Sequence, residues 1–167
     1  LDTIDATAAG LSKNTAPTRG DRPTIFISFA GLTEGGSGWD EAFSSASSAQ
    51  TFGKNCAARA VAVAEATNGV AKVGIDLDVE GMETELPYFG SYIEAFRADA
   101  PYLEHPLMMC ALSGLASPGS SDHFKVALLE EFGPSAQGIS HLNMMVNNVD
   151  SSCDDMSAFW RNSTLGF

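Results

Sequence analysis

The sequence is short of basic residues. It carries 9 Lys and Arg against 21 Asp and Glu in 167 residues, a net charge of −12. No stretch gathers the few cations into a cluster. A chain this acidic repels phosphate backbones and anionic lipid surfaces, so neither nucleic acid nor a charged membrane face is an expected partner. Neutral sugars stay open, since their recognition needs hydrogen bonds and aromatic faces more than net charge. The chain also lacks an apolar run long enough to span a bilayer. Its first residues, Leu1 to Asp5, have neither the basic start nor the apolar core of a signal peptide. The expected compartment is secreted or lumenal, with any leader removed.

Cysteine is scarce too. Cys56, Cys110 and Cys153 are widely spaced and form no zinc pattern. Cys56 and Cys110 are expected as buried free thiols; one disulfide plus one free thiol is the alternative. His105, His123 and His141 form no ligand pattern and are expected on the surface or in loops. The Gly-rich segment from Gly35 to Gly38 lacks the lysine of a phosphate loop and reads as a loop over a cleft. The triplet Asn162-Ser163-Thr164 fits the glycosylation sequon, a pattern common by chance.

What remains is an ordinary globular composition, 44% hydrophobic and 18% charged. It predicts one domain over residues 1–167, with 1–23 a loosely structured N-terminal segment. Thr24 to Ala30 reads as a buried strand, from its β-branched and aromatic content. A helix is expected from Trp39 to Ala66, with Phe43, Ala46, Ala49, Phe52, Cys56, Ala60 and Val63 on one apolar face and Asn68-Gly69 as the stop. Ala71 to Glu80 reads as the next strand. A helix bearing Tyr88, Tyr92, Ile93 and Phe96 follows, and Leu107 to Leu112 is a third strand. A helix bearing Phe124, Leu128 and Phe132, capped by Ser121 or Asp122, ends at Gly133-Pro134. Ile139 to Val146 is a fourth strand, and Met156 to Trp160 is a short helical candidate. Strand–helix alternation of this kind implies parallel strands with right-handed crossovers, an α/β fold. Met108, Met109, Met144 and Met145 read as core fillers, and Trp39 and Trp160 as packing anchors.

One strand carries chemistry. Side chains alternate along a strand, so Asp76, Asp78 and Glu80 share one face while Ile75, Leu77 and Val79 share the other. Three carboxylates in a row repel one another, and the crowding raises some of their pKa values. A carboxyl kept protonated near neutrality can serve as a general acid. The motif sits at the C-terminal end of its strand, where parallel β/α proteins place their active sites. A solvated edge strand or a cation site such as one for calcium is the plainer reading.

Gly74-Ile75-Asp76-Leu77-Asp78-Val79-Glu80-Gly81 resembles the DGxDxDxE signature of glycoside hydrolase family 18, the chitinase-like enzymes, with Val73 in place of the leading Asp. Ser28-Phe29-Ala30-Gly31 resembles the family's SxGG strand, with Ala30 for the first Gly. Asn143 to Asn148 resembles its sixth-strand segment, nearest the plant hevamine-type branch. The resemblance covers roughly residues 20–150. It implies a TIM-type (β/α) barrel. A full barrel needs about 250 residues, so the chain is expected to hold about strands three to six. The open edges would then be completed by a further stretch of chain or covered by another protein.

The resemblance also implies a substrate, β-1,4-linked N-acetylglucosamine glycan, and no cofactor or metal. Glu80 would protonate the glycosidic oxygen. Asp78 would orient the substrate's own N-acetyl group as nucleophile, and Asp76 would share a proton with Asp78. Ser28, Gly31, Met144 and Asn147 would line the substrate site. The family's sixth strand normally supplies a Tyr that holds the N-acetyl carbonyl, and Val146 stands in that position. Loss of one such donor typically costs on the order of a hundredfold in rate. A non-catalytic chitinase-like protein, either a glycan-binding module or a subunit of a larger assembly, is therefore the alternative.

Overall fold

A computed structural model describes residues 22–29, 37–79, 86–112 and 123–145. Four strands alternate with helices, as the periodicity predicts: β1 (Thr24–Phe29), α1 (Ser37–Ala42), α2 (Ala46–Ala66), β2 (Lys72–Leu77), α3 (Phe89–Asp99), β3 (Leu107–Leu112), α4 (His123–Phe132), a 3-10 turn (Pro134–Ala136) and β4 (His141–Met145). The strands form one all-parallel sheet in the order β1-β2-β3-β4. The expected helix at Met156 to Trp160 and the N-terminal segment up to residue 21 lie outside the described residues.

The single long helix expected from Trp39 to Ala66 is two helices. Ser44 and Ser45 break it, because their hydroxyls compete for backbone groups. Ser44 Oγ donates to Glu41 O at 2.8 Å, and Ser45 is extended and accepts from Ser48 N–H at 3.1 Å as the N-cap of α2. Gly38 accordingly lies in α1 rather than in a loop. Ala46 is exposed, whereas Gly53 and Ala57 join the buried face of α2. The stop at Asn68-Gly69 holds, with both residues at positive φ (53° and 74°).

The core lies between the sheet and its helices. Ile27, Val73, Ile75, Leu77, Leu107 and Met109 point from the strands towards Ala57, Ala60, Phe89, Tyr92, Phe96 and Leu129. Trp39, Phe43 and Phe52 extend this layer with ring contacts of 6.0–6.2 Å, so Trp39 is a packing anchor. Gly53 lets α2 and α3 approach closely, since a Cβ there would meet Tyr92 O at 2.6 Å.

The opposite face of the sheet is curled. Phe26 on β1 and His141 on β4 are three strand spacings apart, about 14 Å in a flat sheet. Their ring centroids nevertheless lie 5.2 Å apart. Curvature and the missing side chain at Gly74, over which Phe26 lies, together bring them into contact. Burial and nearby Lys72 hold the His141 imidazole below its ordinary pKa. His105, expected at the surface or in a loop, is a loop residue but is buried, with Nδ1 2.9 Å from Val73 O. That contact gives the buried ring a polar partner.

Candidate functional site

Asp76 lies within β2 on the curled face, in register between Ser28 of β1 and Met108 of β3. The strand is shorter than expected: it stops at Leu77, and Asp78 and Val79 continue past it. The alternation nevertheless persists for two residues. Asp78 N–H donates to Phe29 O at 3.2 Å, and Val79 remains fully buried in the helix-side core. Asp76 and Asp78 therefore emerge on the same side.

Both carboxylates act on one group, the Cys110 thiol of β3. Burial, then the Asp76 charge and hydrogen bond, push that thiol up to about 12, and Asp78 adds to the effect. Cys110 Sγ donates to Asp76 Oδ1 at 3.3 Å, and Asn143 Nδ2 donates to Cys110 Sγ at 3.3 Å. A polar chain thus runs across three strands, from Asn143 through Cys110 to Asp76. The thiol stays protonated, so it is a donor to Asp76 and not a nucleophile. Asp76 is buried, 7% exposed. Asp78 Oδ1 is also buried, and it has no hydrogen-bond partner. A buried acceptor left open in this way is uncommon and marks a place where a donor from outside fits.

Lys125 of α4 closes the site from the helix side. It is fully buried, and its ammonium donates to Val79 O and, at 3.1 Å, to Cys110 O. The carbonyl of Val79 belongs to the peptide that joins it to Glu80.

Of the residues expected to form the site, Ser28, Asp76 and Asp78 come together at one end of β1 and β2. Met144 lies in β4 in register with Ala111, one residue out of step with Asn143. Glu80, Gly31 and Asn147, together with Val146, lie outside the described residues. Met108 is not the core filler expected; it is half-buried and occupies the Asp76 row, whereas Met109 is in the core. Three residues with a part in the site were not expected there: Cys110, read as a buried thiol, Asn143, read as part of the sixth-strand segment, and Lys125. Period-two alternation from Met108 and from His141 points to the first two. Lys125 stands four residues before the core residue Leu129, on the apolar stripe of its helix, and that misplaced charge is the signal.

Cys56 and Cys110 are both buried free thiols, as expected, and Cys153 lies outside the described residues. Among the described residues no three acidic, His or Cys side chains are grouped to hold a metal ion. No described helix is long and apolar enough to cross a membrane. No protein-family model, curated protein or solved structure matches the chain.

Proposed function

We propose that the chain forms the central part of a chitinase-like (β/α) barrel of the family 18 type and hydrolyses β-1,4-linked N-acetylglucosamine glycans. The observation that carries this reading is the convergence of Asp76 and Asp78 at the C-terminal end of a central parallel strand, with Asp78 Oδ1 buried and unpartnered. Strands in chain order and a curled open face support the barrel part of the reading.

The chemistry is substrate-assisted, outside the usual two-carboxylate scheme. Glu80 donates its proton to the glycosidic oxygen as the bond to the sugar breaks. The N-acetyl oxygen attacks the same carbon, so no enzyme side chain becomes covalently linked; a water that gives its proton back to Glu80 then opens the cyclic intermediate and restores the acid. The open Asp78 oxygen suits the N–H of that acetamido group and would hold it in line. Asp76, kept in place by the Cys110 thiol, tunes Asp78 from behind. Ser28, Gly31, Met144 and Asn147 contribute to the sugar-binding wall.

Val146 favours a second reading, a non-catalytic glycan-binding or scaffold protein, because its side chain offers no hydrogen bond to the acetyl group. One experiment separates the two. A fluorogenic chitooligosaccharide is offered to the wild type and to Glu80→Gln. Hydrolysis by the wild type that falls at least about a thousandfold in the variant is expected for the enzyme, because both proton transfers are lost. Equal, negligible rates from two folded proteins overturn the hydrolase and leave the binding reading, which calorimetry with the same oligosaccharide then tests.

A further inference from the structure

We infer that Lys125 is a positioning residue for the acidic site: its buried ammonium bridges Val79, just past β2, and Cys110, within β3, and fixes the segment that carries Asp78 and leads into Glu80. The catalytic consequence rests on the hydrolase reading; the positioning itself does not.

The pairing of β2 with β3 ends at Leu77 and Met109. Among the described residues the two strands have no paired positions beyond that point. The Lys125 ammonium takes over, donating to Val79 O on one strand and Cys110 O on the other. Both acceptors belong to residues beside the site's functional groups. Val79 lies between Asp78 and Glu80, and Cys110 bears the thiol bonded to Asp76. A lysine with no exposed surface is costly to desolvate, and a plain core position is better filled by Leu or Met. Burial of a charge here is explained if a cation is needed to tie together carbonyl groups at the end of an acidic strand. The three donors of an ammonium suit that task, because they reach several acceptors from a single point.

The test follows amide exchange by NMR in the wild type, Lys125→Met and Lys125→Arg, alongside the chitooligosaccharide assay. Lys125→Met keeps the length of the side chain and removes its donors. Exchange at Asp78 and Val79 is expected to quicken by at least about tenfold, with Ile25 and Ile27 of β1 unchanged. In an active enzyme kcat is expected to fall about a hundredfold with KM changed less than about threefold, since the groups that react are displaced rather than the binding surface removed. Lys125→Arg, which retains donors, is expected to recover part of both. Unchanged exchange at these amides, or a uniform rise across the sheet, overturns the positioning role. So does local loosening with kcat intact. If Lys125→Met does not fold, Lys125→Gln, with donors on a shorter stem, is read by the same criteria. A wild type that fails to hydrolyse the substrate, with exchange still responding locally, overturns the hydrolase reading and leaves the brace established.

Discussion

Gly74 occupies a point on β2 where no side chain fits. A Cβ there would stand 2.2 Å from Pro106 O, 2.8 Å from Pro106 Cγ and 2.9 Å from Phe26 Cε1. The obstacle includes a backbone oxygen, which does not swing aside. Gly74→Ala is expected to destabilise the protein by about 3 kcal/mol, read as a shift in the urea midpoint. Gly38→Ala is the control. A Cβ at that helical site meets nothing within 4 Å, so the change is expected to be neutral or stabilising by up to about 1 kcal/mol. Equal stability of the two variants would refute the account of Gly74. At this scale the sequence was a partial guide. Alternation alone put Asp76 and Asp78 on one face. The partners Cys110 and Asn143 come from other strands, and their meeting depends on register, which no local pattern encodes. Lys125 was legible only as an oddity, because its meaning lies in two carbonyl groups 46 and 15 residues away.

The helices show where local chemistry overrides periodicity. Hydrophobic spacing runs through Ser44 and Ser45 without a gap, yet the chain stops and restarts there. Side-chain oxygen bonds to the backbone are invisible to a pattern of apolar residues, and Ser is common enough that two in a row are no signal. The restart gives a direct prediction. Ser45→Ala removes the acceptor for Ser48 N–H and is expected to cost about 1 kcal/mol, measured by thermal or denaturant unfolding. Ser47→Ala, an exposed change inside α2, should differ from the wild type by less than about 0.5 kcal/mol. A Ser45→Ala protein as stable as the wild type would mean that the break is set by Phe43 packing and not by the cap. Strand ends were less legible than strand cores. Thr24 and Leu107 open β1 and β3 as read from sequence, because the apolar runs themselves begin there. β2 ends at Leu77 although β3 pairs with β4 as far as Leu112, so its early end follows from no pattern of its own residues.

For the molecule as a whole, the α/β class was legible because each strand is apolar, short and followed by a helical stripe. The break within the first helix did not disturb that alternation. The curl was not legible: it depends on Phe26 reaching across Gly74 to a ring on the far strand. Stability of the whole fold should depend on alkaline pH through its buried thiols. Burial, opposed in part by the nearby Tyr92 hydroxyl, pushes Cys56 up to about 12, and Cys110 is pushed up to about 12, from an ordinary 9.0. The unfolded chain therefore ionises first. This contribution is complete below pH 9 and is lost as pH rises towards 12. By pH 10 the loss should be about 1 kcal/mol per thiol, and Tyr92, raised by burial, acts in the same direction above that. Denaturant midpoints at pH 8 and pH 10 are the measurement. A flat profile in the wild type would show that the thiols ionise freely in the folded protein, and a Cys56→Ala variant should show about half the slope.

The order of strands in the sheet is the order of strands in the chain, and that governs timing. Each new strand finds its neighbour already made, so a growing chain can add units one after another without waiting for a distant partner. The brace beside Asp78 breaks this rhythm. Asp76 and Asp78 emerge with the second strand, but Lys125 arrives only after a further helix and strand have been synthesised. A nascent chain would thus carry its carboxylates unfastened until the helix of Lys125 has emerged.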